Sequence, residues 1–148
     1  MLTGDGPQVI EFNCRLGDPE AQVILPRLRS DLVAAMLATV EGTLGHVSLR
    51  WDNRSAVTVV MAAEGYPGAY EKGSVISGTE GAEASDDVML FHAGTKIDDA
   101  GTVTAHGGRV LAVTGLGDDA GTARAAAYAA VDGIDWPSGF CRRDIAVG

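Results

Sequence analysis

Cysteine is scarce in this chain. Cys14 and Cys141 are the only two, and without a C-x-x-C spacing they form neither a disulfide framework nor a zinc site. They fit two reduced thiols in a cytosolic protein. Positive charge is scarce as well: 11 Lys and Arg stand against 20 Asp and Glu, a formal net charge of −9. Such a surface repels phosphate backbones and anionic lipid, so neither nucleic acid nor membrane is an expected partner. No apolar run reaches the roughly 18 residues of a membrane span. Met1-Leu2-Thr3-Gly4-Asp5 lacks the basic and long apolar stretches of a signal peptide. What the chain has is apolar residues, 46% of 148 with only 21% charged, a composition that buries a core rather than staying disordered.

Residues 8–14 alternate in the strand manner, with Ile10, Phe12 and Cys14 on one face and Glu11, Asn13 and Arg15 on the other. So apolar a strand needs neighbours on both sides, and the short loop before it supplies none, so the chain is expected to begin inside a larger fold. Gly17-Asp18-Pro19-Glu20 reads as a helix start, with Asp18 as cap, Pro19 at the first helical position and Glu20 at the positive dipole end. Pro26 should end or kink that helix. Ser30 is the expected cap of a second helix, whose stripe of Leu32, Val33, Met36, Leu37 and Val40 is expected to pack in the core. Gly42 and Gly45 close it.

Beyond His46 the pattern turns to strands. Residues 55–63 are β-branched and apolar, Gly65-Tyr66-Pro67-Gly68 is a turn, and residues 74–77 and 88–92 are strand candidates. Residues 102–105 and 109–114 flank His106-Gly107-Gly108 in a hairpin pattern. An alanine-rich helix over 119–134 presents Ala123, Ala127, Ala130, Val131 and Ile134, and residues 139–145 read as a last strand. The reading is an α+β chain without internal repeats. It divides near residue 50, into a strand–helix–helix part over 1–50 and a β-rich domain over 51–148 with one packed helix. Trp51 and Trp136 are expected to anchor the two parts to each other.

The polar strand face carries the candidate chemistry. Glu11 and Asn13 stand two residues apart, about 6–7 Å at their bases, and offer the hard oxygens magnesium prefers. Arg15 on the same face could reach charge developing on a phosphoryl group or acyl phosphate. Metal plus guanidinium is common apparatus for phosphoryl transfer. By spacing alone, an edge strand with a polar, solvated face is the favoured reading, since the motif is weak by itself. His92 and His106 read as structural, and Lys72, Lys96, Arg142 and Arg143 as solvated charges. Gly107-Gly108-Arg109 is either a plain turn or two amides and a guanidinium able to bind phosphate.

The string Val9-Ile10-Glu11-Phe12-Asn13-Cys14-Arg15-Leu16-Gly17-Asp18-Pro19-Glu20-Ala21-Gln22 closely resembles glycinamide ribonucleotide synthetases (phosphoribosylamine–glycine ligases), ATP-grasp enzymes of purine biosynthesis. Arg29-Ser30-Asp31-Leu32, Tyr66-Pro67-Gly68, Tyr70, Lys72-Gly73, Phe91-His92-Ala93-Gly94-Thr95, Gly107-Gly108-Arg109-Val110-Leu111 and Arg142-Arg143-Asp144-Ile145 resemble further family strings, in order and at suitable spacing. Leu16 stands where the family has Phe, and Ala21 where Thr is common. The family's enzymes are roughly three times as long, which makes this chain resemble their last third: the end of the ATP-grasp domain and the domain after it.

The resemblance implies a cytoplasmic ligase that joins glycine to 5-phosphoribosylamine through an acyl phosphate, with ATP as co-substrate and Mg2+ or Mn2+ as cofactor. It implies Glu11 and Asn13 as metal ligands and Arg15 and Asp18 as catalytic residues. Arg15 would stabilise charge, while Asp18 would hold the glycine amine or orient Arg15, helix capping being the alternative for Asp18. Arg109 would face the ribose phosphate. A full-length family member is expected to be a monomer. The chain by itself is expected to be inactive and to dimerise through its exposed first strand. The alternative is an autonomous, non-catalytic binding or assembly module derived from such a ligase.

Overall fold

The structure is a computed structural model that describes residues 1–82 and 84–147. In chain order its elements are β1 (Leu2–Thr3), β2 (Gly6–Pro7), α1 (Glu20–Ile24), α2 (Leu32–Val40), β3 (Ser55–Ala63), α3 (Thr79–Ala82), β4 (Val88–His92), β5 (Thr95–Ile97), β6 (Val103–Ala105), β7 (Arg109–Gly117), α4 (Ala120–Gly133) and β8 (Gly139–Phe140). Four antiparallel strands form the main sheet in the order β4-β7-β3-β8, so the class is α+β as the pattern implies. No helix among the described residues is long and apolar enough to cross a membrane.

The core lies between this sheet and α4. Val59, Met61, Leu111 and Val113 on the sheet pack against Ala127, Val131 and Ile134, and Ala123 is wholly buried with them. The alanine stripe foreseen for this helix is therefore its packed face. Small side chains matter because the backbones approach closely: a Cβ on Gly115 would lie 2.5 Å from Ala127 N, and one on Gly117 2.5 Å from Ala123 N. Asp119 caps α4 by accepting from Thr122 N at 2.7 Å, leaving the helix start hydrogen-bonded.

The opposite sheet face carries Thr58 and Thr114, paired in register and joined hydroxyl to hydroxyl at 2.5 Å. Thr114 Oγ1 donates to Gln22 O of α1 at 2.8 Å. α1 thus rests on the sheet face that α4 leaves free. Pro26 does end α1, which tightens into a 3-10 turn over Leu25–Arg27.

Several expectations are corrected. Residues 9–14 form no strand: no neighbouring strand lies beside them, and an extended segment needs one to satisfy its backbone groups. Ile10 and Phe12 are exposed. Asp18 does not cap α1, whose N-cap is Pro19 with no side-chain hydrogen bond. Asp31, not Ser30, caps α2, accepting from Val33 N and Ala34 N, while Ser30 Oγ accepts from Arg50 N. The apolar stripe of α2 faces outward, with Val33, Met36, Leu37 and Val40 exposed and only Ala35 and Ala38 buried. β6 pairs with β5 and β7 with β3 and β4, so residues 102–114 are not a hairpin. Residues 74–77 make only isolated bridges, Val75 to Thr104 and Ser77 to Asp135. The last strand stops at Phe140. Trp136 lies in the sheet–α4 core, its Nε1 donating to Ser74 Oγ at 2.9 Å, rather than between two parts.

Trp51 does sit at a junction. It bridges Leu28, with Arg29 N donating to Arg50 O and Asp52 N to Arg27 O. Asp52 then accepts from both Arg29 and Arg54, and Arg54 reaches Asp87 at 2.7 Å. The segment entering β3 is thereby tied to the turn after α1.

Candidate functional site

Glu11 and Asn13 lie close together, as alternation along an extended backbone requires. Asn13 Nδ2 donates to Glu11 Oε1 at 3.2 Å. Rotating the Asn13 amide exchanges its donor for an oxygen, and the pair then presents hard donors to one cation, which is the chemistry magnesium prefers. Among the described residues no three His, Cys, Asp or Glu side chains form a cluster that could hold a metal ion. Arg15 is exposed, and its Nη1 donates to Leu16 O.

Asp18 and Arg109 are 91 residues apart and meet. Arg109 Nη1 donates to Asp18 O at 2.9 Å, and Nη2 lies 3.3 Å from Asp18 Oδ2. Asp18 Oδ1 also accepts from Gln22 Nε2 at 2.9 Å. Asp18 thus pairs with Arg109, and Arg15 joins neither.

A β-bulge explains how Arg109 gets there. Met61 pairs with Leu111 but Ala62 with Arg109, so Val110 is an extra residue in β7. In β7 the odd-numbered Leu111, Val113 and Gly115 face α4, and strict alternation would send Arg109 the same way. The bulge reverses that: Val110 is wholly buried and Arg109 emerges on the α1 side, opposite Ala62. Bulges re-aim single side chains in this manner. Glycines hold the turn before it. His106 N and Gly107 N both donate to Gly94 O, so the Gly107 amide is already engaged and is not available to an anion. A Cβ on Gly108 would overlap the Tyr66 ring.

Beside the Asp18–Arg109 pair opens a cleft of about 530 Å3, bordered by Pro19, Val60, Tyr66, Arg109, Cys141 and Arg142. Its floor is the sheet face, and two guanidiniums stand on its rim. Arg142 is held by Asp144, with Nε 2.9 Å from Oδ1. Burial raises the Cys141 thiol above its ordinary pKa, so it stays protonated and is a poor nucleophile at neutral pH. Arg142 is a solvated charge, its side chain 70% exposed, as the sequence implies, and it also borders the cleft; Tyr66, which the sequence places only in a turn, lines the cleft as well. His92 bonds Thr95 through Nδ1 at 3.0 Å, outside this group.

The family model described as "Phosphoribosylglycinamide synthetase, C domain" matches residues 56–148. The phosphoribosylamine–glycine ligase of Mesorhizobium japonicum is 57% identical over 145 residues, which is 98% of this chain and 34% of that protein. The chloroplastic phosphoribosylamine–glycine ligase of Arabidopsis thaliana is 55% identical over 140 residues, 94% of this chain and 26% of that protein. A crystal structure of phosphoribosylamine–glycine ligase from Thermotoga maritima superposes with a TM-score of 0.78 at 37% identity, over 99% of this chain and 35% of that one. The chain spans about a third of the length of most of the curated relatives it matches.

Proposed function

The chain belongs to the phosphoribosylglycinamide synthetase family, and on that premise we propose that it is the C-terminal portion of an ATP-dependent ligase joining glycine to 5-phosphoribosylamine. One observation carries the reading: the bulge in β7 turns Arg109 onto Asp18, in the same short segment as the Glu11–Asn13 pair. Arg109 thus meets a residue only five positions after Asn13, which supports assigning the two groups to one site.

In this reading Glu11 and Asn13 hold Mg2+ or Mn2+ together with the phosphates of ATP. The metal, when bound, neutralises phosphate charge during phosphoryl transfer. Arg15 stabilises the negative charge that develops at the glycine carboxylate, and Arg109 binds the ribose phosphate with a geometry suited to its oxygens. The adenine pocket and the lysines that position ATP belong to the remaining two thirds of an ATP-grasp enzyme. The chain alone therefore gives no turnover, and its setting is the cytoplasm. The unpaired segment over residues 9–14 leaves Ile10 and Phe12 exposed, and the isolated chain self-associates through it.

The test is a chimaera. The matching 145 residues of the Mesorhizobium japonicum ligase are replaced by those of this chain, and ADP release dependent on glycine and phosphoribosylamine is measured. Turnover is expected, with Glu11→Ala lowering kcat by about 100-fold or more and raising the magnesium requirement. A chimaera that folds and binds ATP without turning over would favour a non-catalytic module. Unchanged kinetics in Glu11→Ala would remove Glu11 from the metal site.

A further inference from the structure

We propose that Asp18 is a positioning residue that serves as internal counter-anion to Arg109 and yields the guanidinium to the phosphate of a sugar-phosphate ligand, so that ligand arrival releases the Asp18 carboxylate while its carbonyl stays bonded to Arg109. The inference rests on the assignment of Arg109 as the phosphate-binding group.

The geometry separates an anchor from an exchangeable contact. Arg109 Nη1 donates to the Asp18 carbonyl at 2.9 Å, a backbone bond that an incoming anion need not disturb. Nη2 meets the Asp18 carboxylate at the longer distance of 3.3 Å. A guanidinium has five N–H donors in a planar fork, and a phosphate can take two of them at once. Both side chains are open to water, Arg109 at 42% and Asp18 at 46%, so the pair is accessible to exchange. The cleft beside it supplies room and a second guanidinium, Arg142. Among the described residues Asp18 is the carboxylate paired with Arg109, so its departure leaves the cation free for the ligand.

The released carboxylate keeps a partner. Asp18 Oδ1 already accepts from Gln22 Nε2 at 2.9 Å, a bond that does not involve Arg109. The exchange therefore strands no charge. While Asp18 occupies Arg109, only part of the population is competent to bind, and apparent affinity falls by that fraction.

The experiment titrates the 148-residue chain with ribose 5-phosphate, with ribose as blank, and follows Arg109 Nε and the backbone amides of Asp18 and Gln22 by NMR. The wild type should shift all three signals, and Arg109→Gln should abolish the response. Asp18→Asn, of the same shape without the charge, should tighten binding about fivefold or more by removing the competitor. Glu20→Gln makes the same charge change two residues away and should alter affinity by no more than about twofold through general electrostatics. If Asp18→Asn and Glu20→Gln tighten binding equally, or Asp18→Asn does not tighten it, the counter-anion role is overturned while Arg109 keeps its assignment. If ribose 5-phosphate binds no better than ribose, or binds equally to Arg109→Gln, the Arg109 assignment falls and this inference with it.

Discussion

Thr114 is wholly buried, yet its hydroxyl ties three elements: it meets Thr58 Oγ1 on β3 and donates to Gln22 O of α1. Thr114→Val keeps the shape and leaves two polar groups without partners. It should cost about 1–3 kcal/mol, read as a lower urea midpoint with an unchanged slope. Asp52 offers a second single-residue test. Hydrogen bonds from Arg54, with Arg29 adding to them, hold its carboxyl far below the usual carboxylate range. A depressed folded-state pKa contributes stability that is complete above the unfolded value, near pH 4, and is lost as pH falls toward the folded one. Stability should therefore drop on acidification below about pH 4, and Asp52→Asn should flatten that slope in acid denaturation. Asp119 and Asp144 are shifted the same way by their hydrogen bonds to Thr122 and Arg142, so some slope remains in the variant.

The more apolar helix is the less buried one. In α4 Ala123 and Ala127 are wholly buried, and the helix backbone lies so close to the sheet that a Cβ on Gly115 or Gly117 would overlap it. Ala127→Leu should destabilise by about 1–3 kcal/mol or more, visible as a lower Tm. In α2 the large apolar residues look outward, Val40 being 87% exposed. Val40→Lys should therefore leave Tm almost unmoved, within about 0.5 kcal/mol. A large loss in the second variant would show that this side of α2 is packed in solution. The β7 bulge belongs to the same scale. It is a property of pairing between two strands, and it alone decides on which side of the sheet Arg109 stands.

Across the whole molecule, exposed apolar side chains concentrate before β3: Val9, Ile10, Phe12, Val33, Leu37 and Val40 are all open to solvent, whereas the sheet and α4 enclose a full core. Contiguous exposed apolar surface marks an interaction site or an association hazard. The chain should sediment as a concentration-dependent oligomer, and Ile10→Lys with Phe12→Lys should shift it to monomer without lowering Tm. A wild-type chain that stays monomeric at high concentration would count against association through this segment. At the other end, Tyr128 is stacked by Arg124 at 4.5 Å and Arg143 at 5.6 Å, and its hydroxyl donates to Arg142 O. This latches the segment carrying Arg142 onto α4.

The sequence by itself determined the elements whose neighbours lie in the same repeating pattern. The bounds of β3 and β4, the packed face of α4 and the stop at Pro26 follow from alternation, helical spacing and a missing N–H, all local causes. It also determined the family, because the string from Val9 to Gln22 and the later motifs are specific in order and kind. Tertiary structure alone decided what depends on a partner distant in the chain. An apolar stripe states that a helix can bury a face, not that a surface is there to receive it, which is why α2 is exposed. Alternation over residues 8–14 states that a strand can form, but a strand also needs neighbours, and among the described residues none lies beside residues 9–14. Arg109 reaches Asp18 only because Val110 is an extra residue against β3, and no periodicity within β7 records a mismatch with another strand.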